Sequence, residues 1–277
     1  MISTLFKPTC FSFLMLLLTL LLSSCKESVA KKSQDLAHQA INKEDNTLSD
    51  SEINKGWKLL FDGKTFDGWR GMGRNDVQNE LWKIDNGTIR KLNSEEVAPL
   101  PDGKAFEGGD LITIKTYANY ELYFEWKILK AGNTGLKYNV SEAFSQKHGS
   151  QYSALGFEYQ LLDDADTLYA GKLKPTQYTG SLYDMVPPKN AKTNPVGTFN
   201  SSRILINGNH AEHWLNGIKV LEYEFGSKHL DSLFKMSKYN DYRNFIDKRS
   251  GHIVLQNHKD DAWFKNIKIR EITPSPK

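Results

Sequence analysis

Apolar and polar residues alternate along most of the chain after residue 56. The clearest example is the segment 120–128, YELYFEWKI, in which every second residue from Tyr120 to Ile128 is apolar and Glu121, Glu125 and Lys127 lie between them. A period of two is typical of a β-strand that buries one face. The pattern therefore predicts a domain built mostly from β-strands.

Three Asn-Gly pairs separate short β-prone runs and predict tight hairpin turns, because both residue types tolerate the positive φ angles that such turns need. The pairs are Asn86-Gly87, Asn207-Gly208 and Asn216-Gly217. Many short antiparallel strands with one helical insertion predict an all-β jelly-roll sandwich of two antiparallel sheets. The predicted strands are 81–84, 88–91, 111–115, 120–128, 136–140, 155–162, 180–183, 203–206, 211–215, 218–223, 252–256 and 263–272, and the predicted helix lies around 231–236.

The N-terminal region differs from the rest of the chain. Lys7 is the only charged residue before residue 25, and the apolar block 11–22 that follows it is too short to span a bilayer, which takes ~20 apolar residues. Leu22-Ser23-Ser24-Cys25 resembles a lipobox. We therefore predict a signal peptide over 1–24 and a lipid on Cys25. The expected location is the cell envelope, at the outer membrane by analogy, with no membrane contact beyond the lipid.

Residues 25–55 are polar and contain no aromatic residue, which predicts a flexible tether. All six tryptophans follow it, whereas the two cysteines, Cys10 and Cys25, precede the predicted domain. Thiol catalysis, disulfides and cysteine zinc sites are therefore excluded for that domain. The formal charge of +3 is small and evenly spread, which argues against a nucleic-acid partner. Gly71-Met-Gly73 lacks the third glycine of a dinucleotide fingerprint, so no nucleotide cofactor is expected.

Several segments resemble the 3-keto-disaccharide hydrolase family, also described as 3-keto-glucoside-1,2-lyases with 3-keto-2-hydroxy-glucal hydratase activity. They appear in the expected order across nearly all of 56–272. In this sequence they are WKLLFDGKTFDGW (57–69), GNTGLKY (132–138), GFEYQLLDD (156–164), TGSLYD (179–184), HWLNG (213–217), GHIVLQNH (251–258) and WFKNI (263–267).

The resemblance implies a concanavalin-like jelly roll over 56–273 that cleaves disaccharides or glycosides already oxidised at C3. Because the chain shows no means of oxidising a sugar, a separate sugar 3-oxidoreductase would have to supply that substrate. The family usually has Asp where this chain has Asn257, which makes Asn257 a poor choice for a charged role.

Glu158, Gln160 and Asp163 form the most informative group of polar residues. Glu158 and Gln160 share one face of a predicted strand, whereas Asp163 points away unless a bulge intervenes. If both carboxylates met, they could act as nucleophile and acid of a conventional glycosidase. The same residues would also fit a solvated polar strand face.

The substrate class that the resemblance implies suggests a second route. A ketone at C3 acidifies the hydrogen on C2, so a base removes it, the C1 substituent leaves by β-elimination, and water then adds back. Glu158 or His148 is the predicted base, and Lys137 is predicted to stabilise the enolate. A divalent metal ion is the predicted alternative to Lys137. Its candidate ligands are His148, Glu158, Asp163 and His258.

Predicted contacts with the sugar come from side chains in or beside the resembling segments. The candidate substrate-binding residues are Gln160, Tyr138, Tyr183 and Gln256. A third interpretation is a non-catalytic carbohydrate-binding lipoprotein, since lectins share this fold and fold does not fix function.

Overall fold

The computed structural model describes residues 44–99 and 108–273. The predicted signal peptide, Cys25 and most of the predicted tether lie outside the described residues, so these assignments stay predictions. Among the described residues, no helix combines the length and apolar character needed to cross a bilayer.

Two antiparallel sheets make up the described fold. The first contains eight strands in the order β11-β10-β9-β6-β13-β4-β3, with β1 also paired to β13. The second contains five, in the order β2-β5-β12-β7-β8. The strands are β1 (Trp57–Leu59), β2 (Trp69–Gly71), β3 (Trp82–Asp85), β4 (Thr88–Lys91), β5 (Leu111–Thr113), β6 (Tyr120–Ile128), β7 (Asn133–Val140), β8 (Phe157–Leu162), β9 (Asn200–Asn207), β10 (His210–Leu215), β11 (Ile218–Glu224), β12 (His252–Leu255) and β13 (Ala262–Glu271).

Three short α-helices connect these strands in the described residues. They are α1 (Asp50–Asn54), α2 (Glu142–Lys147) and α3 (Lys228–Lys235). Ser141 caps α2 and Ser227 caps α3, each by accepting a backbone N–H of the first turn. The long connection between β11 and β12, residues 225–251, contains α3 and is called the β11–β12 insertion below.

The core lies between the two sheets. The apolar positions of the alternating strand β6 are all buried, and they face buried residues of β7 and β8 such as Leu136 and Phe157. Complete burial of one such side chain stabilises a fold by roughly 1.5–3 kcal/mol. The predicted jelly-roll sandwich of two antiparallel sheets is therefore confirmed.

Four details differ from the sequence-based expectations. The segment predicted as a strand over 180–183 is a turn, because Gly180 and Asp184 both adopt positive φ and leave Leu182 only isolated bridges. Residues 142–147, for which the sequence predicted no helix, form helix α2. The hairpin between β9 and β10 turns at Gly208-Asn209, one residue later than the predicted Asn207-Gly208 pair. The short strands β1 and β2 were not predicted.

The folded domain also starts earlier than the predicted boundary at residue 56. Asn46 is buried, and its side chain exchanges hydrogen bonds with Asn266 of β13. Ser49 and Glu52 then form a capping box that begins α1. Residues 45–55 therefore belong to the folded domain and not to the tether.

A polar network crosses the core between β7, β10 and β11. Nδ1 of His213 lies 3.0 Å from the carbonyl oxygen of Gly180, which can only accept, so Nδ1 carries the proton. The hydroxyl of Tyr138 lies 2.7 Å from Nε2 of His213 and 2.7 Å from the hydroxyl of Tyr223. Burial lowers the pKa of His213 from its ordinary 6.5 to about 4, although the carbonyls of Gly180 and Ser181 favour the charged form.

We expect His213 to make the domain sensitive to mild acid. Below pH 6.5 the unfolded chain binds a proton that the folded chain refuses until about pH 4, so stability falls as pH falls through this window. The loss between pH 6.5 and pH 5 should be on the order of 1–2 kcal/mol. Urea unfolding at both pH values measures it. His213→Gln should lose less unfolding free energy over this pH range than the wild type, whereas His229→Gln, at an exposed histidine, should lose as much as the wild type. Equal losses in the two variants would contradict the assignment of the pH dependence to His213.

Candidate active site

The outer face of the second sheet, which points away from the core, carries the candidate active site. Lys137 on β7 and Glu158 on β8 are cross-strand partners. Their neighbours Leu136 and Tyr159 point into the core, so the alternation turns Lys137, Glu158 and also Gln160 to the outer face. Nevertheless, the exposed fraction is only 4% for Glu158 and 7% for Lys137. Other parts of the chain therefore enclose this polar face.

Gly135 makes room for the Glu158 carboxylate. Gly135 lies on β7, where its cross-strand partner is Gln160 of β8. A Cβ atom placed on Gly135 would lie 2.4 Å from Oε1 of Glu158. Such a separation is far inside van der Waals contact, so any side chain at this position would displace the carboxylate. Gly135 thus fixes the position of Glu158 by having no side chain.

We expect Gly135→Ala to lower kcat by on the order of 10²-fold while the protein stays folded, because a displacement of about 1 Å costs that much in catalysis. The measurement is kcat on a 3-keto disaccharide, the substrate class that the family resemblance implies, together with the melting temperature of each variant. Gly132→Ala is the matched control, since its Cβ would meet Ile128 and Leu129 and not Glu158. Equal kcat losses in the two variants would mean that overpacking alone is responsible.

Lys137 is held by a buried ion pair with Asp110, which was not predicted from the sequence. Its Nζ lies 3.0 Å from Oδ2 of Asp110. Asp110 also accepts the backbone N–H groups of Ala154 and Asn257, each at 2.8 Å. Burial by itself would lower the pKa of Lys137, but the carboxylates of Asp110 and Glu158 outweigh this effect and raise it.

The β11–β12 insertion brings Tyr239 to the site. The tyrosine ring stacks on Phe245, with ring centroids 4.5 Å apart, and its hydroxyl donates to Oε2 of Glu158 at 3.4 Å. Burial, followed by the charge of Glu158, raises the pKa of Tyr239 well above its usual range, so the phenol remains a hydrogen-bond donor. The alternating pattern of the strands gave no signal for this residue.

Tyr183, a predicted substrate-binding residue, lies in the turn after β8 beside Glu158. Its backbone N–H donates to the carbonyl of Glu158 at 2.9 Å, and its half-buried side chain accepts from Gln177. Burial and the nearby charge of Glu158 raise the pKa of its phenol. Gln160 also lies beside Glu158, where its side-chain amide donates to Asn133 at 2.9 Å.

His258 and Gln256 lie at the end of β12. The N–H of Gln256 donates to the carbonyl of Gly135, and the side chain is half-buried. Burial lowers the pKa of His258. The negative charges of Asp260 and Glu158 oppose this effect, whereas the positive charges of Lys91 and Lys137 add to it. In the described part of the chain, the buried Nδ1 of His258 has no hydrogen-bond partner. Both residues are therefore close enough to the Glu158 face to remain candidates.

Three predicted site residues lie elsewhere. Tyr138 is on the core face of β7 and is fully buried in the network with His213, so it is a core residue. Asp163 accepts the N–H of Ala131 at the end of the sandwich, on the other side of β8 from Glu158. His148 follows α2, with its ring between Phe144 and Tyr242. The structure brings none of the three to Glu158.

The predicted metal-ligand set does not fit this arrangement, because His148 and Asp163 are both displaced from Glu158 and His258. Among the described residues, the group with three close ligand atoms is a different one, His210, Glu212 and Glu222. These residues lie on β10 and β11 and already bond to each other or to Lys219. We therefore derive no step through a metal ion.

The structure thus combines a jelly-roll sandwich with a buried glutamate, an amine and tyrosine hydroxyls at one sheet face. Residues 56–270 match the family model of the 3-keto-alpha-glucoside-1,2-lyase-like domain. Since the match covers most of the chain, the protein belongs to this family, as the resembling segments predicted.

Relatives agree with this assignment. A 3-keto-disaccharide hydrolase of Bacteroides thetaiotaomicron is 36% identical over 220 residues, which is 73% of each chain. A crystal structure described as a candidate glycosyl hydrolase from Parabacteroides distasonis is 30% identical and has a TM-score of 0.72, covering 83% of this chain and 100% of its own. Another from the same organism is 26% identical, with a TM-score of 0.59, and covers 78% of this chain and 99% of its own.

Proposed function

We propose that the protein cleaves the glycosidic bond of 3-keto disaccharides or 3-keto glycosides, and that Glu158 begins the reaction by removing the proton from C2. The observation that carries the proposal is the enclosed carboxylate of Glu158, which lies on a face lined by amine and phenol donors. The relative from Bacteroides thetaiotaomicron, named a 3-keto-disaccharide hydrolase, supports the substrate class.

The chemistry balances without an oxidant. Glu158 takes the C2 proton, and the electron pair of that bond forms an enolate with the C3 carbonyl. When the C3 carbonyl re-forms, the C1–O bond breaks, a C1=C2 double bond appears and the leaving oxygen takes a proton. Water then adds its hydroxyl to C1 and a proton to C2. The sum is hydrolysis, and every step uses acid–base groups of the kind that surround Glu158.

The position of Asp163 favours this route over direct displacement. A conventional retaining or inverting glycosidase needs two carboxyl groups on opposite sides of one glycosidic bond, roughly 5–10 Å apart. Asp163 is bonded to Ala131 on the other side of β8. The other carboxylate near Lys137, that of Asp110, is 1% exposed and is already occupied by Lys137 and two backbone N–H groups.

The test is proton NMR of the purified full-length chain with 3-keto-trehalose in D₂O, with the unoxidised sugar in parallel. Cleavage of the oxidised sugar with deuterium incorporated at C2 is the expected result. Cleavage that fully retains the C2 hydrogen would replace elimination by direct hydrolysis. Saturable binding of either sugar without any product would identify a binding protein instead.

A further inference from the structure

Lys238 lies over the rings of Tyr183 and Tyr239, the two tyrosines beside Glu158, although it belongs to a distant part of the sequence, the β11–β12 insertion. Its backbone N–H donates to Oδ2 of Asp184 at 2.7 Å, which fixes this point of the insertion beside the turn that follows β8. Phe245, which is buried in the core, holds the neighbouring ring of Tyr239. The main chain at Lys238 is therefore positioned from both sides.

The ammonium group of Lys238 lies over two aromatic rings. Its Nζ is 4.2 Å from the ring centroid of Tyr183 and 5.0 Å from that of Tyr239. The residue as a whole is exposed, but its amine has lost part of its surrounding water, and this lowers the pKa of Lys238. The positive charge of Lys137 lowers that pKa further, whereas the negative charges of Glu158 and Asp184 raise it. Both rings are themselves beside Glu158, so the amine is aimed at the same space as the carboxylate.

The two lysines of the site differ in what they already bind. Lys137 is committed to Asp110 at 3.0 Å and is 7% exposed. Lys238 has no carboxylate within 4.0 Å among the residues that the structure describes. The cation–π contacts orient the ammonium group without using up its three N–H donors. A new negative charge in the site would therefore gain more from Lys238 than from Lys137.

We propose that Lys238, and not Lys137, donates to the C3 oxygen of the substrate and stabilises the enolate that forms when Glu158 removes the C2 proton. Lys137 is then a positioning residue, which holds the Glu158 strand and Asp110 in register. This inference rests on the proposed function, because an enolate forms only if the C2 proton is removed.

The same contact explains how the site would distinguish oxidised from unoxidised sugars. A C3 carbonyl accepts a hydrogen bond from an ammonium group and carries a full charge in the enolate, whereas a C3 hydroxyl never develops that charge. Lys238 would thus act mainly in the transition state. Its loss should lower kcat far more than it weakens the binding of an unoxidised disaccharide.

The experiment compares Lys238→Met, Lys238→Arg and Lys235→Met, the last a matched control at an exposed lysine of α3 in the same insertion. Each full-length variant is assayed for C2 deuterium exchange and cleavage with 3-keto-trehalose in D₂O, and for binding of unoxidised trehalose. Lys238→Met should lower exchange and cleavage by about 10²–10³-fold, as expected for loss of one oxyanion donor. Trehalose binding should stay within about 2-fold of the wild type, because it samples only the ground state.

Lys238→Arg should recover activity to within about 10-fold of the wild type, since it restores the charge, and Lys235→Met should behave as the wild type. Wild-type exchange that survives Lys238→Met would overturn the role of Lys238 and leave the proposed function intact. Parallel losses of trehalose binding and cleavage would show a merely structural role and also overturn it. Absence of exchange in the wild type would overturn both proposals.

Discussion

Glu158→Gln is expected to lower kcat/KM on 3-keto-trehalose by about 10³-fold, because removal of a positioned general base typically costs 10²–10⁴-fold. The amide keeps the size of the side chain and its contact with Tyr239 but cannot accept the C2 proton. The same change should abolish deuterium exchange at C2 when the variant is incubated with substrate in D₂O. Exchange is the more direct readout, since it reports proton removal even where cleavage is slow.

Two controls separate chemistry from folding in this experiment. Glu80→Gln removes an exposed carboxylate outside the site and should leave the rate unchanged. Glu158→Gln should bind unoxidised trehalose about as well as the wild type, because the substitution is isosteric. If Glu158→Gln retained more than about a tenth of wild-type exchange, another group would have to be the base, and His258 would be the next candidate on this face.

Asp110→Asn is expected to destabilise the domain by about 3–5 kcal/mol, the usual cost of leaving one partner of a buried ion pair uncompensated. The amide cannot neutralise Lys137, and its NH₂ group would face at least one of the N–H donors that the carboxylate now accepts. Urea unfolding at neutral pH measures the loss. Activity should fall as well, since Lys137 and Glu158 are cross-strand partners and any shift of one strand moves the other.

Asp62→Asn is the matched control for Asp110→Asn, because Oδ1 of Asp62 also accepts two backbone N–H groups but at an exposed turn. We expect it to cost about 1 kcal/mol or less. The double variant Asp110→Asn with Lys137→Met should be more stable than Asp110→Asn alone, since it removes the uncompensated charge. Equal losses for Asp110→Asn and Asp62→Asn would show that the buried ion pair carries no special weight.

The long strands of the first sheet could be predicted from the sequence because apolar and polar residues alternate along them. Burial follows this alternation in β9 and β10 and over most of β6, whose apolar positions enter the core. The Asn-Gly pair 86–87 was also predictive, since both residues have the positive φ angles of a tight hairpin turn. Prediction failed at 180–183, where the local sequence suits a strand but the positive φ of Gly180 and Asp184 turns the chain back under Glu158.

The sequence predicted two kinds of candidate-site residue. Some share a strand face, and others, such as Tyr183, Gln256 and His258, lie in or beside the resembling segments. Glu158 and Gln160 follow from alternation on β8, and Lys137 follows from the resembling segment on β7. Tyr138 was predicted to contact the sugar, but it lies one position from Lys137 and so faces the core. Asp163 lies five positions from Glu158 and faces away from it, as the alternation indicates where no bulge intervenes.

By itself, the sequence determined the sandwich, the hairpin turns at Asn86-Gly87 and Asn216-Gly217, the family and the strand that carries Glu158, because these depend on patterns within short segments. Only the tertiary structure decided which groups surround that carboxylate. Asp110 and Lys238 reach it from 48 positions before and 80 positions after it in the chain. Contacts over such separations arise from how the sheet edge and the β11–β12 insertion close over the outer face, and no local pattern of residues encodes them.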